Sequence, residues 1–185
     1  LCLSINSRRT NVILGEEIHV LWGEGMMEDT LHGLKFSVSP LSFFQVNPVQ
    51  TEKLYQLALD YADLSGSETV VDAYCGAGTI SLMLARKAKK VIGIEIVEPA
   101  IENANANAAR NSIDNAEFIV GATEDVLPRL IAQGMRPDVI VVDPPRKGCE
   151  AAVLQAIIES QPERVVYVSC GAPTLARDAK ILTEG

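Results

Sequence analysis

The chain has 185 residues, 48% of them hydrophobic and 22% charged, with a net charge of −8. That balance fits one soluble globular domain with a small appendage and excludes a disordered or fibrous chain. No apolar run approaches the ~18 residues of a membrane span, and the acidic charge lacks the basic footprint of a free-standing nucleic-acid binder.

Residues 1–46 read as short strands and turns. Leu1–Ser4 is too short for a targeting core, and Arg8-Arg9 follow it rather than precede it. Glu17–Trp22 alternates Ile18, Val20 and Trp22 before Gly23-Glu24-Gly25 breaks the pattern. Met26–Leu31 and Leu34–Val38 flank His32-Gly33, which predicts a tight hairpin turn. This region is expected to be a small β appendage, part of a central domain.

The pattern changes at residue 47. Asn47, Pro48 and Gln50 suit the N-cap, N1 and N3 positions of a helix. Leu54, Leu57, Ala58 and Tyr61 carry that helix to about Leu64. Strand candidates follow at Thr69–Asp72, Val91–Glu95, Glu117–Val120, Val139–Val142 and Val165–Ser169. Helical patterns separate them at Thr79–Lys87, Pro99–Asn111, Glu124–Gln133 and Glu150–Glu159, and Pro173–Leu182 closes the series. Such alternation predicts an α/β domain over 47–185, a parallel sheet covered by helices.

Cys2, Cys75, Cys149 and Cys170 form no CxxC pair and have no histidine cluster beside them. No metal site is expected, and reduced thiols point to the cytoplasm.

Two loops carry the candidate chemistry. Val70–Thr79 reads as strand, glycine turn and helix start, where a backbone can approach a ligand closely. Glu95 ends the next strand, about 20 residues on, where an acidic group accepts hydrogen bonds from ribose hydroxyls. Ser81 stands where the full GxGxxG fingerprint needs glycine, so a nucleoside without a pyrophosphate fits better than a nicotinamide dinucleotide. Asp143-Pro144-Pro145-Arg146 then makes a stiff loop at the strand edge where ligands bind, or else a rigid turn with a capping Asp. Cys170 ends the fifth strand just before a helix, a setting that favours a thiolate; most free cysteines, in contrast, are small buried hydrophobes.

The chain resembles the RNA uracil-5-methyltransferases. The resemblance rests on Ser42-Phe43-Phe44-Gln45-Val46-Asn47-Pro48, Asp72–Gly78, Gly93-Ile94-Glu95, Asp143–Gly148, Tyr167–Cys170 and Thr174–Asp178, in family order. It implies a Rossmann-like class I methyltransferase fold that binds S-adenosylmethionine and releases S-adenosylhomocysteine. It implies that Gln45, Tyr74, Glu95 and Asp143 contact this cofactor, that Asp143 helps hold the uracil, and that Cys170 is the nucleophile. Thr10–Gly15 and Val20-Leu21-Trp22-Gly23 resemble the ribosomal-RNA branch, which implies 23S rRNA rather than tRNA as substrate.

The chain departs from the family at Gly171-Ala172-Pro173, where Asn-Pro usually follows the nucleophile. The family's catalytic base, a Glu in a short His-containing motif, is expected C-terminal to residue 185. Both ends read as cut from a longer protein, so the parallel sheet is expected to be truncated. The strand ending at Ser169 would then be an open edge through which the chain self-associates, and the segment is expected to bind cofactor without turning over. Other readings are methylation of cytosine C5 or of an amino group, and a non-catalytic RNA-binding scaffold.

Overall fold

A computed structural model of the chain describes residues 1–7, 15, 17–40 and 42–185. Arg8-Arg9 and all but the last residue of the Thr10–Gly15 stretch lie outside these. The element order is β1 (Cys2–Ile5), β2 (Glu17–Val20), β3 (Met27–Leu31), β4 (Leu34–Val38), α1 (Pro48–Ala62), β5 (Thr69–Ala73), α2 (Thr79–Ala85), β6 (Lys90–Glu95), α3 (Glu98–Arg110), β7 (Ala116–Val120), α4 (Thr123–Ala132), β8 (Val139–Val142), α5 (Ala151–Ser160), β9 (Arg164–Tyr167) and α6 (Ala172–Glu184).

Strands β5 to β9 form one parallel sheet in the order β7-β6-β5-β8-β9. This is the expected Rossmann-like α/β arrangement. Alternate residues of the central strands feed two cores, one on each face. Val70, Val91, Val139 and Val141 join α1, α2 and the β3–β4 hairpin. Val71, Ile92, Ile94, Ile140 and Val142 join α4 and α5. Strands buried on both faces explain why they read as continuous apolar runs.

The hairpin turns at His32 and Gly33, both with positive φ (48° and 75°), the geometry of a two-residue turn that matches strand twist. Leu31, Leu34, Phe36 and Val38 pack into the same core as Tyr55, Leu59 and Leu82. β1 was not legible in the sequence; it pairs antiparallel with β2. Helix α1 begins as expected, with Asn47 Oδ1 accepting from the Gln50 N–H at 3.2 Å. It ends at Ala62, before the expected Leu64, because Asp63 turns left-handed and caps it.

One face of α3 closes the outer edge of β4. Asn107 Oδ1 accepts from Ser37 N at 2.8 Å, Asn111 Oδ1 from Lys35 N at 2.9 Å, and Asn103 Oδ1 from Ser39 N at 3.2 Å. Asn111 Nδ2 also donates to the Lys35 carbonyl at 2.7 Å. Four helical residues rise about 6 Å, and two strand residues rise about 6.6 Å. Asparagines four apart can therefore meet every second amide of a strand, and the three amides stand in for a neighbouring strand.

Candidate functional site

The C-terminal ends of β5 and β8 and the segment before α1 meet in a narrow cleft lined by Gln45, Tyr55, Asp72, Tyr74, Gly76 and Asp143, among others. The chain leaves β5 through Tyr74, whose φ of 67° is rare for a non-glycine residue. The Cys75 N–H then donates to the Ile94 carbonyl at 2.9 Å, and the Gly78 N–H to the Cys75 carbonyl at 2.9 Å. Gly78 needs both its positive φ of 80° and its lack of side chain, since a Cβ there would stand 3.0 Å from the Ala104 methyl. A Cβ on Gly76 would meet nothing within 4 Å, so the turn is open on that side.

Glu95, at the end of β6, holds this turn. Its Oε2 accepts from the Gly76 N–H at 3.1 Å, and its Oε1 from the Val97 N–H at 2.9 Å. Each carboxylate oxygen keeps a lone pair for a ligand hydroxyl.

Asp72 is fully buried. Its Oδ2 accepts from the Ser81 hydroxyl at 2.5 Å, while its Oδ1 has no hydrogen-bond partner among the described residues. Burial pushes its carboxyl up to about 7, and Asp143 and Glu95 add to the rise. Burial likewise pushes Asp143 up to about 6 and raises the Tyr55 and Tyr74 phenols. The cleft is therefore a partly dry place with two carboxylates, Asp72 and Asp143, and no Lys or Arg in its lining, while Glu95 braces its turn from beside it. That suits a cation or a nucleoside and disfavours a phosphate.

Cys170 lies beside this cleft rather than in its lining. β8 and β9 pair in parallel with Val142 opposite Tyr167, and the Val168 N–H extends the pairing to the Val142 carbonyl at 2.8 Å. Asp143 and Cys170 thus leave neighbouring strands at the same sheet edge. β9 ends at Tyr167, two residues before the expected Ser169, so Cys170 sits in the loop and is exposed. Gly171 caps α6, and the Ser169 hydroxyl accepts from the Gly171 N–H at 3.0 Å.

The structure gathers Gln45, Tyr74 and Asp143 in one cleft, with Glu95 bracing its glycine turn. Sequence reasoning did not single out Asp72 or Tyr55. An acidic residue inside the apolar run Val70–Ala73 was the available signal for Asp72. A larger hollow of about 470 Å³ is lined by Cys2, Trp22, Met26, Met27, Ser39 and Phe44 among others. Its lining holds one carboxylate, Glu24, against two in the narrower cleft. Among the described residues no group of His, Cys, Asp and Glu could hold a metal ion, and no helix is long and apolar enough to cross a membrane.

A family model described as tRNA (uracil-5-)-methyltransferase matches residues 27–185. An uncharacterized RNA methyltransferase of Clostridium tetani is 58% identical over 98% of this chain and 39% of its own length. One from Listeria innocua is 56% identical over 98% of this chain and 40% of its own length. The chain thus spans about 40% of the curated relatives it matches. Among solved structures, the Pyrococcus abyssi tRNA (uracil-54, C5)-methyltransferase in complex with S-adenosyl-L-homocysteine superposes with a TM-score of 0.82 at 32% identity, over 97% of this chain and 43% of that one. A SAM-dependent methyltransferase from Agrobacterium tumefaciens shares the fold, with a TM-score of 0.68 at 17% identity over 91% of this chain and 61% of that one.

Proposed function

The chain belongs to the tRNA (uracil-5-)-methyltransferase family, and from that premise we propose that it holds S-adenosylmethionine and carries the nucleophile of an enzyme that methylates uracil C5 in RNA. Gln45, Tyr74, Glu95 and Asp143 hold the cofactor. The donor set fits it: Glu95 has lone pairs for ribose hydroxyls, the open side of Gly76 admits a ligand, and the unpartnered Asp72 Oδ1 favours a positive charge. When bound, the cofactor supplies an electrophilic methyl group to C5.

The protein's task is to make C5 nucleophilic. The Cys170 thiolate bonds to C6, and the C5=C6 electron pair shifts to C5 and the adjacent carbonyl. After C5 is methylated, a base takes the C5 proton, the pair re-forms the double bond and the C6–S bond breaks. Asp143, on the neighbouring strand end, helps hold the flipped-out base. The observation that carries this reading is the β8–β9 register, which sets the Asp143 and Cys170 loops side by side.

We take 23S rRNA as the substrate, because Thr10–Gly15 and Val20–Gly23 resemble the ribosomal-RNA branch. In this reading residues 1–46 belong to a central domain and 47–185 to the methyltransferase domain, and β9, an edge of the sheet, is a self-association surface testable by sedimentation.

The test is incubation of the full-length protein with unmodified rRNA and tRNA and labelled S-adenosylmethionine, with Cys170→Ala in parallel. Label in 5-methyluridine that vanishes in the variant supports the reading and identifies the RNA. Label in another nucleoside, or label that survives loss of Cys170, sinks the mechanism.

A further inference from the structure

Asp178 is a charged side chain with no exposure, and it is used in full. Its Oδ2 accepts from the Cys149 N–H at 2.8 Å and from the Tyr167 hydroxyl at 2.7 Å. Its Oδ1 accepts from Arg177 Nε at 2.7 Å. Arg177 in turn donates to the Lys147 carbonyl at 3.0 Å and to the Cys149 carbonyl at 3.3 Å. Three parts of the chain meet on one carboxylate: the loop after β8, the end of β9 and the second turn of α6.

The packing is equally tight. A Cβ on Gly148 would stand 2.6 Å from both Arg177 Nη2 and Asp178 Oδ2, so the loop lies directly on the helix. A Cβ on Gly171 would stand 3.5 Å from the Arg146 carbonyl oxygen, so the residue after Cys170 also lies against that loop. Asp143 is fixed at the other end of the same loop by its N–H bond to the Ala73 carbonyl, at 3.4 Å.

We propose that Asp178 is a positioning residue that clamps the loop after β8 to α6 and thereby sets the Cys170 thiol relative to Asp143. The inference rests on the reading of Cys170 as nucleophile. Asp178 itself touches no reacting atom. Gly171 has no side chain of its own; the Ser169 and Thr174 hydroxyls hold its backbone at 3.0 and 2.9 Å, and the clamp fixes the helix that carries Thr174 against the loop after β8. Gln45 and Glu95 lie outside the clamp, and Asp143 keeps its own bond to the Ala73 carbonyl, so loss of the clamp should disturb cofactor binding far less than it slows the attack on C6.

The test uses full-length Asp178→Asn and Tyr167→Phe with rRNA containing 5-fluorouridine and S-adenosylmethionine. Fluorine at C5 leaves no proton for the base to remove, so the C6–S bond persists and the protein–RNA adduct can be counted. Asp178→Asn is expected to slow adduct formation about 10- to 100-fold, the cost of misplacing a reacting group by around an ångström. Tyr167→Phe removes one donor without changing shape and should give a smaller slowing. The Kd for S-adenosylmethionine should stay within about twofold in both. Amide hydrogen exchange should quicken together over residues 146–150 and 169–172. A variant that forms adduct at the wild-type rate, or in which exchange quickens in α6 alone, overturns the clamp; should Asp178→Asn not fold, Tyr167→Phe gives the same readouts. No adduct in the wild type sinks the role of Cys170 instead, and the exchange pattern then decides the clamp by itself.

Discussion

The Asn107 side chain accepts the backbone N–H of Ser37 at 2.8 Å across 70 residues of sequence, and Asn107 is fully buried. Removing the amide leaves the Ser37 N–H, itself buried, without a partner. Asn107→Ala should therefore lower stability by about 1–3 kcal/mol. Asn105→Ala, on the exposed face of the same helix, should change it by less than about 0.5 kcal/mol. Urea unfolding of the two variants checks this; equal losses would remove the ladder from the account.

Asp72 should make the protein less stable as pH rises. Its carboxyl lies at about 7 in the fold against an ordinary value of 3.8, so the folded state binds the proton more tightly than the unfolded one. The sign follows: stability is full below the ordinary value and declines as pH climbs towards 7. Asp143 acts in the same direction over a narrower window ending near 6. Asp72→Asn should flatten the decline by on the order of 2 kcal/mol between pH 4 and pH 7, measured by urea midpoints across that range. An unchanged slope would mean that water reaches the group.

The same carboxylates bear on the cofactor. S-adenosylmethionine is a cation, so its affinity should increase as Asp143 and Asp72 ionise, through about 6 and then about 7. Asp143→Asn should weaken binding about 10-fold at pH 7.5 and remove the lower part of the rise. Calorimetric titration at several pH values reads both effects, and a flat profile in the wild type would count against a cation in this cleft.

Gly148→Ala should be costly for two separable reasons. Its φ of 80° is strained for any side chain, and the new methyl would fall 2.6 Å from the Arg177 and Asp178 groups. Gly134→Ala meets the strain alone, since φ there is 97° and nothing lies within 4 Å. The second should lose about 1–2 kcal/mol, and the first clearly more. Thermal melts of the pair separate backbone strain from the tight packing of the loop on α6.

How far the sequence reached depends on whether a signal was local. Val139–Val142 was legible to the residue, because an all-apolar run sits between Asp138 and Asp143. β1 was not, because four alternating residues carry too little pattern and their partner β2 is separated from them in sequence. The Asn103–Asn111 face was visible as polar, but not what it faces, since its partners lie 64 to 76 residues away. Asp143 could be placed at the cleft because the carboxyl ends of parallel strands collect loops, whereas Gln45 and Tyr74 were placed there only by the family resemblance. Asp178 fell within the Thr174–Asp178 motif, but its burial and its partners gave no sign, because only the tertiary fold creates them.

The acidic cleft also bears on the order of events. Asp72, Glu95 and Asp143 crowd one end of the sheet, and each of the latter two raises the proton affinity of the first. A polyanion approaching that end before anything is bound meets repulsion, whereas a cation is drawn in and cancels part of the field. The cleft thus favours a sequence in which the small positively charged ligand loads first and the nucleic acid second, a queue set by charge alone.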